Sequence, residues 1–451
     1  MQTAVEKKTM QTAAYNSKMI FKPLLLYLAL VFTCKANGLT TPNVVICGGG
    51  PGGLLTSILL NNIGIKSTVL EEASEPDEWS SKSYSMNLNE RGKNALDRGG
   101  CLGSIMEVGN EKTCNYFVDG KTGDIKTIPR KESTSSIGLS RPLLVECIET
   151  IATSLPHVTL RRGVGVSRVT EDNKGFGGLK VHLKDGTIFS ATNVIGADGK
   201  WSKVRGCFKS LNSQANLVSC SGFGLLMFGE SRPKGFENND GTYIIFPPDE
   251  YIPKDFYLIA SPLTNGGMTL AMVCSDSITG RYPWLQPETE LEPKDIGKGG
   301  WKDEISLEKS EREDVDATLS VHLEELFQKI VPAFHAVINK DFYKSARIQR
   351  RASWLQMSAE EGKDVSYSTE DGRVTLIGDA AHAMTASMGE GGNCAMESAV
   401  KLADAVILTM KEKGETTCTV NTLNEAFLKF GLSRPKEVQP IQEMSATRNN
   451  K

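Results

Sequence analysis

Apolar runs near both ends of the chain predict the two parts of a nucleotide-binding core. The fully apolar run Val44–Cys47 predicts a short buried strand of the parallel type. A glycine-rich loop follows, then a helix over Leu54–Asn62 and a second strand over Lys66–Glu71. This order predicts a βαβ unit with a right-handed crossover. Much later, Val374–Ile377 predicts another strand, which leads into an amphipathic helix over Cys394–Met410.

The middle of the chain has a different pattern. Short apolar runs separated by Gly, Pro and Asn predict strands at Phe223–Phe228, Tyr243–Phe246, Phe256–Ala260 and Met268–Cys274. We therefore predict an α/β protein with an antiparallel sheet inserted between the halves of a Rossmann-type domain. The predicted divisions are a nucleotide-binding domain at 43–210 and 345–410, an inserted substrate domain at 211–344 with parts of 80–135, and a C-terminal helical tail at 411–451.

Residues 1–36 have the pattern of a targeting segment. Lys18 and Lys22 flank the start of the apolar run Leu24–Phe32, and small residues follow it. A membrane-spanning helix needs about 20 apolar residues, so this run is too short for a comfortable span. We predict a cleaved signal for the secretory or endomembrane route, or for a plastid if it is half of a two-part address. No transmembrane anchor would then remain. The alternative is a hydrophobic tail or an uncleaved signal anchor.

The composition of the chain limits the classes of molecule that it is predicted to bind. A net charge of −3 without a basic stripe argues against nucleic acid as the main partner. The ten cysteines form no C-x-x-C pair and the five histidines are scattered, so no metal or redox motif is predicted. The 451 residues are enough for two packed domains.

The glycine loop after the first strand has the spacing of a dinucleotide-binding motif. Gly48, Gly50 and Gly53 satisfy G-x-G-x-x-G between a predicted strand and a predicted helix. Such glycines allow a tight turn, close approach of a pyrophosphate, and helix–strand packing. Glu71 follows about 20 residues later, where an acidic residue accepts from ribose hydroxyls.

Two further motifs extend the predicted ligand. Asp198-Gly199 turns the chain after a strand, and Arg205 could pair with a carboxylate, reach a phosphate, or be a solvated side chain. In the late motif, the Asp379 carboxylate can receive a ribityl hydroxyl, while the backbone N–H groups of 391–393 face an electron-rich ring. FAD is long enough to reach both the early and the late motif. His382 is predicted to form structural hydrogen bonds.

These three elements, in this order, resemble the flavoprotein monooxygenases of the aromatic-hydroxylase type. The resemblance covers most of residues 43–449. It implies a glutathione-reductase-like FAD fold with an inserted substrate sheet, a transient visit by NAD(P)H, and O₂ as co-substrate. It also implies hydroxylation of a small aromatic or π-rich substrate through a flavin C4a-hydroperoxide, with no side-chain nucleophile.

Within the family, the chain looks closest to the kynurenine 3-monooxygenase branch. The segments that carry this resemblance are Ser85–Leu88, Glu90–Gly92, Ser140–Arg141, Phe246–Pro247, Gly392–Asn393 and the tail from Arg434 to Ser445. It implies that Arg141 contacts the flavin, as do Gly391, Gly392 and Asn393 in the late motif. Candidate pocket residues are Tyr84, Tyr243, Phe246, Met388 and Arg448, each of which could instead only pack the core.

Five positions depart from the branch. Its substrate-binding Arg is Tyr84 here, so an amino-acid carboxylate would lose its bidentate donor, and its C-terminal Asn-Tyr pair becomes Arg448-Asn449. A common Pro is Ala386 and a common Gln is Glu390, whose charge would oppose a reduced flavin anion unless it points away or is protonated. The alternatives are therefore an FAD-dependent epoxidase or flavin reductase acting on a lipid or isoprenoid, and a catalytically silent flavin-binding protein.

Overall fold

A computed structural model describes residues 41–75, 85–131, 135–172, 178–220, 222–248, 256–285, 309–348 and 353–449. The predicted targeting segment at 1–36 lies outside these residues. Within them, no helix is both long enough and apolar enough to span a bilayer.

A parallel five-stranded sheet forms the centre of the first domain. Its strand order is β20-β12-β1-β2-β8, and every neighbouring pair is parallel. The strands are β1 Asn43–Cys47, β2 Lys66–Leu70, β8 Val158–Arg161, β12 Asn193–Gly196 and β20 Val374–Leu376. Strand β1 is apolar along its buried length because separate clusters of side chains cover both faces of the sheet. The prediction of a Rossmann-type core is confirmed.

Helices cover this sheet and bring distant parts of the chain together. They are α1 Pro51–Asn62, α2 Glu90–Arg98, α3 Leu102–Val108, α4 Arg141–Thr153, α5 Lys203–Cys207, α6 Lys209–Asn212, α11 Asp379–His382, α12 Gly391–Lys413 and α13 Val420–Asn449. Helix α1 begins three residues before its predicted start because Pro51 suits the first turn. Helix α12 ends at Gly414, which has a left-handed backbone. The predicted tail is no loose extension: Phe427 and Phe430 of α13 are buried in the core.

Three small sheets surround the core. Strands β9 Val166–Glu171, β10 Leu179–Leu183 and β11 Ile188–Ala191 form one, and β13 Ala215–Ser219 pairs with β19 Ser353–Met357. The third has the order β3-β7-β4, from Ser85–Leu88, Ser136–Ser140 and Asn110–Lys112. We call this third one the bridging sheet, because its strands adjoin both domains.

The inserted domain is built on a seven-stranded sheet of order β18-β14-β17-β16-β15-β5-β6. The strands are β5 Cys114–Asp119, β6 Ile125–Pro129, β14 Phe223–Gly229, β15 Gly241–Phe246, β16 Phe256–Pro262, β17 Met268–Cys274 and β18 Arg347–Ile348. Helices of this domain are α7 Ser277–Arg281, α8 Lys309–Ile330, α9 Pro332–His335 and α10 Asp341–Lys344. The inserted sheet is confirmed, with one difference: β15 and β5 are parallel. Because β18 pairs with β14, the predicted return to the nucleotide domain at 345 is too early.

The two faces of the seven-stranded sheet have different surroundings. One face is fully buried and packs with Leu323, Phe327 and Ile330 of α8. The opposite face is apolar but only half-buried. We call it the open face, and its side chains are Phe117, Leu226, Phe228, Ile244, Phe246, Tyr257, Ile259 and Val273.

Candidate active site

The glycine loop after β1 has a backbone that only glycine fits at two positions. Gly48 has a φ of +112°, and a Cβ there would lie 2.2 Å from the carbonyl oxygen of Ala197. A Cβ on Gly53 would lie 2.1 Å from the carbonyl oxygen of Gly48. By contrast, a Cβ on Gly50 would meet only Arg141 Nη2, at 3.7 Å. The loop is therefore closed towards the sheet and open towards Arg141, on the side where a pyrophosphate would bind.

Glu71 holds this loop in place. Its Oε2 accepts from the backbone N–H of Gly49 at 2.6 Å, and its Oε1 accepts from that of Ala73 at 2.9 Å. A carboxylate has about four acceptor positions, so these two bonds leave room for a ribose hydroxyl. The predicted ribose contact stays a prediction.

Asp198 lies at the end of β12 with one oxygen bonded and one without a partner. Its Oδ2 accepts from the N–H groups of Lys203 and Val204 at 2.6 and 3.1 Å, while Oδ1 is buried with no hydrogen-bond partner in the structure. Desolvation raises the pKa of this carboxyl group, and its hydrogen bonds oppose the rise. A buried acceptor without a donor fits a site that receives a hydroxyl or N–H from a ligand.

Arg205 joins the second motif to the third. It is fully buried and donates to the carbonyl oxygens of Ala380 and Lys200 at 2.7 and 2.8 Å. The solvated side chain considered for Arg205 is not observed, and no carboxylate among the described residues accepts a hydrogen bond from it. The residue instead fixes the distance between the loops that follow β12 and β20.

The third motif converges on the first. Asp379 follows β20, and its Oδ1 lies 3.9 Å from the position of a Cβ on Gly391. The side chain is solvent-accessible, yet it is closely surrounded, and desolvation raises its pKa against the opposing charges of Lys200 and Arg141. Accessibility and desolvation together indicate a carboxylate that lines a narrow crevice. Arg141, which lies beside Gly50, connects the two halves of that crevice.

The N-terminus of α12 has no side-chain cap among the described residues. The side chain of Asn393 instead donates to the carbonyl oxygens of Asn87 and Gly389 at 3.0 and 2.9 Å. Met86 covers Gly392, since a Cβ there would lie 2.2 Å from its Cε. The first-turn N–H groups of 391–393 therefore remain the groups predicted to face a flavin. The side-chain role of Asn393 was not predicted.

Three features of the crevice suit FAD. The glycine loop is open, Asp198 has a buried oxygen with no donor among the described residues, and the helix N-terminus beside Asp379 has no side-chain cap there. A sequence model of the family described as FAD binding domain matches residues 41–271 and 338–419. The chain belongs to this FAD-binding family.

Relatives of this flavoprotein are monooxygenases. Monooxygenase 2 of Arabidopsis thaliana is 25% identical over 380 residues, which are 83% of this chain and 80% of the relative. The 3-hydroxybenzoate 6-hydroxylase 1 of Aquipseudomonas alcaligenes is 24% identical over 367 residues, 80% and 79% of the two chains. The HpxO structure from Klebsiella pneumoniae with FAD and uric acid shares the fold, with a TM-score of 0.63, 18% identity, and coverage of 90% and 88%. The chain is an FAD-dependent monooxygenase of the aromatic-hydroxylase type. The narrower resemblance to the kynurenine branch stays a prediction.

The pocket candidates of this flavoprotein have different positions. Tyr84 and the side chain of Arg448 lie outside the part of the chain that the structure describes. Tyr243 is fully buried, stacks on Tyr116 with ring centroids 4.6 Å apart, and its hydroxyl accepts from the N–H of Asn238. Tyr243 therefore packs in the core of the inserted domain. Because side chains alternate along a strand, Tyr243 and Phe246 lie on opposite faces of the sheet, and we correct the assignment of Tyr243 to the pocket.

Phe246 and Met388 remain candidates for the pocket. Phe246 belongs to the open face, where its ring is parallel to that of Phe117 at a centroid distance of 6.0 Å. Met388 is half-buried at the end of the short 3₁₀ helix Ala386–Met388. Sequence reasoning missed what holds the loop before Met388: the hydroxyls of Thr385 and Ser387 both donate to the carbonyl oxygen of Ser445 in α13.

The side chain of Glu390 points towards α2, away from the N-terminus of α12 that is predicted to face the flavin. Its Oε1 accepts from Asn89 Nδ2 at 2.8 Å, and its Oε2 lies 3.5 Å from Arg91 Nε. The carboxylate is therefore partly neutralised and already hydrogen-bonded. This geometry removes the argument that Glu390 would oppose flavin reduction.

We predict that Glu390→Gln changes flavin reduction little. The amide keeps an acceptor for Asn89 and loses only the charge that lies 3.5 Å from Arg91, a long and partly exposed ion pair that contributes up to about 1 kcal/mol, or about fivefold. Stopped-flow reduction by NADPH measures it, with Glu90→Gln, a neighbouring exposed carboxylate, as the control. A rate increase above tenfold in Glu390→Gln alone would show that the charge does act on the flavin.

Behind α12, a buried cluster of charges joins three helices. Glu397 Oε2 accepts from Arg91 Nη1 at 2.7 Å and from Arg434 Nη2 at 2.6 Å. Arg434 is fully buried and also donates to Ser398 Oγ, which is bonded to His382 Nε2 at 2.8 Å. Burial lowers the pKa of His382 to about 3, so it is neutral, as a structural histidine should be. The cluster supports the helix whose N-terminus faces the crevice.

Proposed function

We propose that this monooxygenase uses NAD(P)H and O₂ to hydroxylate a small aromatic substrate that lies against the open face. The observation that carries the proposal is the chemistry of that face. Phe117, Ile244 and Phe246 form a half-buried apolar strip with a parallel pair of aromatic rings. Such a surface favours a flat, π-rich ligand over a polar one.

Positioning and exclusion of water are the tasks left to the protein. When FAD is bound and reduced, its flavin ring would activate O₂. Asp379 and Arg141 would hold the cofactor between the two motifs, and the N-terminus of α12 would favour negative charge on the ring. The open face would keep the substrate in an apolar environment. The balanced reaction consumes one substrate C–H, O₂, NAD(P)H and a proton, and it yields the hydroxylated product, NAD(P)⁺ and water.

Two relatives support an aromatic substrate. One is named for hydroxylation of 3-hydroxybenzoate, and the solved HpxO structure contains uric acid, a flat heterocycle. A lipid epoxidase and a flavin reductase would share the same cofactor site. A silent flavin-binding protein was motivated by Glu390, whose orientation no longer supports it.

Stopped-flow reduction of the holoprotein tests the proposal. NADPH and NADH are mixed anaerobically with the protein, with and without a panel of phenols, benzoates and N-heteroaromatics. We expect at least one nucleotide to bleach the flavin, and at least one aromatic compound to accelerate bleaching about tenfold or more, which is 1.4 kcal/mol of barrier. Failure of both nucleotides with every compound would refute a reducible monooxygenase. Bleaching that no aromatic accelerates, followed by release of all electrons as H₂O₂, would favour the reductase.

A further inference from the structure

Arg130 lies between the inserted sheet and the bridging sheet, and its hydrogen-bond partners among the described residues are all neutral. Its Nε and Nη2 donate to Asn115 Oδ1 at 2.9 and 2.6 Å, and its Nη1 donates to Ser136 Oγ at 2.9 Å. The contact of Nη2 with Thr242 Oγ1 is 3.5 Å, the long limit of a hydrogen bond. Among the residues that the structure describes, no carboxylate forms an ion pair with Arg130. Within that part of the chain, its N–H groups donate to neutral oxygens.

The guanidinium group keeps donor capacity. Arginine has five N–H donors in one plane, and the three short bonds use three of them. Two donors remain, one of which reaches only the distant Thr242 hydroxyl. A guanidinium group with two available N–H groups can bind both oxygens of a carboxylate. None of the described hydrogen-bond partners of Arg130 is a carboxylate that would compete with an incoming anion for its donors.

Arg130 lies at one end of the open face. Asn115 and Thr242 precede Phe117 and Ile244 by two residues in β5 and β15, so all four lie on the same face of the sheet. Two residues along a strand span about 6.8 Å, close to the size of a benzene ring with one substituent. An aromatic ring against Phe117 and Ile244 would therefore place a substituent at Arg130.

Arg130 is connected to the predicted flavin site through one strand. Ser136 starts β7 of the bridging sheet, and this strand ends at Ser140, which caps the helix that begins with Arg141. The partner of β7 at its midpoint is Asn87, whose carbonyl oxygen accepts from the side chain of Asn393 in the first turn of α12. The same strand thus connects Arg130 to the residues that would hold the cofactor.

A second cation strengthens the positive potential at this end of the sheet. Lys112 of β4 is 1% exposed and donates to the carbonyl oxygens of Asn239 and Gly241 at 2.8 and 3.0 Å. Burial and the nearby charges of Arg130 and Arg232 lower its pKa to about 8, and Asp240 opposes this. The mutual repulsion of these cations is what an anion at this place would relieve.

We propose that Arg130 is the specificity-determining residue for a negatively charged substituent, so that the substrate is an aromatic acid. This inference rests on the proposed function and adds the charge of the substrate to it. The bidentate donor that is lost at Tyr84 thus has a candidate replacement within the described part of the chain.

The test compares acids with their uncharged amides on the flavin-loaded protein. Benzoate, 3-hydroxybenzoate and anthranilate are each paired with the corresponding amide, and binding is measured by perturbation of the flavin spectrum and by calorimetry at neutral pH. We expect the wild type to bind at least one acid about tenfold or more tightly than its amide. Arg130→Gln should remove that preference and leave amide affinity unchanged. Arg130→Lys should keep part of it, because the charge remains but the planar pair of donors is lost.

Arg168→Gln is the matched control, since it removes an equal charge from the exposed strand β9. It should leave the acid preference as in the wild type. A preference that survives in Arg130→Gln, or a wild type that prefers none of the acids, overturns the inference. Equal weakening of acids and amides in Arg130→Gln would show that Arg130 only joins the two sheets. If neutral aromatics are hydroxylated as well as acids, the proposed function stands while this inference fails.

Discussion

Replacing Gly53 by alanine should yield a protein that does not retain FAD. The new Cβ would lie 2.1 Å from the carbonyl oxygen of Gly48 and 3.2 Å from the Cβ of Ala197. The carbonyl oxygen belongs to the backbone and the alanine Cβ is attached directly to it, so neither can yield as the end of a flexible side chain can, and α1 must move away from the loop. Overpacking of this kind costs about 1–3 kcal/mol in stability, and it displaces the N–H groups that would hold the pyrophosphate. Flavin absorbance per protein after gel filtration measures the loss.

Gly103→Ala is the control for this change. Gly103 is exposed in helix α3, and a Cβ there would meet nothing within 4 Å. Alanine in such a helical position is neutral or stabilising by up to about 1 kcal/mol. Flavin retention should therefore be normal in Gly103→Ala. Normal flavin content in Gly53→Ala would contradict the assignment of this loop to the cofactor.

Replacing Arg434 by methionine should destabilise the protein more than any exposed ion-pair change. Methionine fills a similar volume but removes one donor each from Ser398 Oγ and the carbonyl oxygen of Cys394, and it leaves Glu397 with only Arg91. Removal of one partner from a buried charge cluster costs about 3–5 kcal/mol. Equilibrium denaturation of the wild type and variant measures the difference. Arg98→Met, which removes a half-exposed pair with Asp404, should change stability by less than about 1 kcal/mol.

The same cluster predicts the direction of a pH effect. Burial alone would raise the pKa of Glu397, but the hydrogen bonds and charges of Arg434 and Arg91 outweigh burial and lower it. A lowered carboxyl pKa stabilises the fold above the unfolded value of about 4.5, and this contribution is lost as the pH falls through the folded pKa. Arg434→Met should therefore lose less stability on acidification below pH 4.5 than the wild type. An identical acid dependence in both proteins would show that Glu397 is held by Arg91 alone.

The local parts of the site could be predicted from the sequence. Gly48, Gly53, Glu71, Asp198 and Asp379 lie where the strand–loop–helix pattern puts them, because each motif is read from neighbours within a few residues or one βαβ unit. The alternating pattern also predicts strands of the inserted sheet. What the pattern does not contain is which face of a strand is covered. The sequence pattern predicts both Tyr243 and Phe246 as pocket residues. In the structure, α8 covers the face of the sheet that contains Tyr243.

The parts that sequence reasoning missed depend on contacts across hundreds of residues. Asn89 and Arg91 determine the orientation of Glu390, which follows them by about 300 positions. Arg205 holds two motifs together through backbone carbonyls, which have no sequence pattern. Strand β5 joins β15 in parallel although the rest of the sheet is antiparallel, so Arg130 reaches the open face from a distant segment. Only the folded chain shows these neighbours.

Oxygen transfer under ¹⁸O₂ shows whether this flavoprotein hydroxylates an aromatic ring. The flavin-loaded protein is incubated with NADPH, an aromatic compound that accelerates flavin reduction, and ¹⁸O₂, and the products are analysed by mass spectrometry. We predict an aromatic product that carries one ¹⁸O atom on a ring carbon, in proportion to the NADPH consumed, with the second atom released as water. Oxidation of NADPH that yields only labelled H₂O₂ and unchanged aromatic compound would contradict the account, as would label that enters only an epoxide of a lipid substrate.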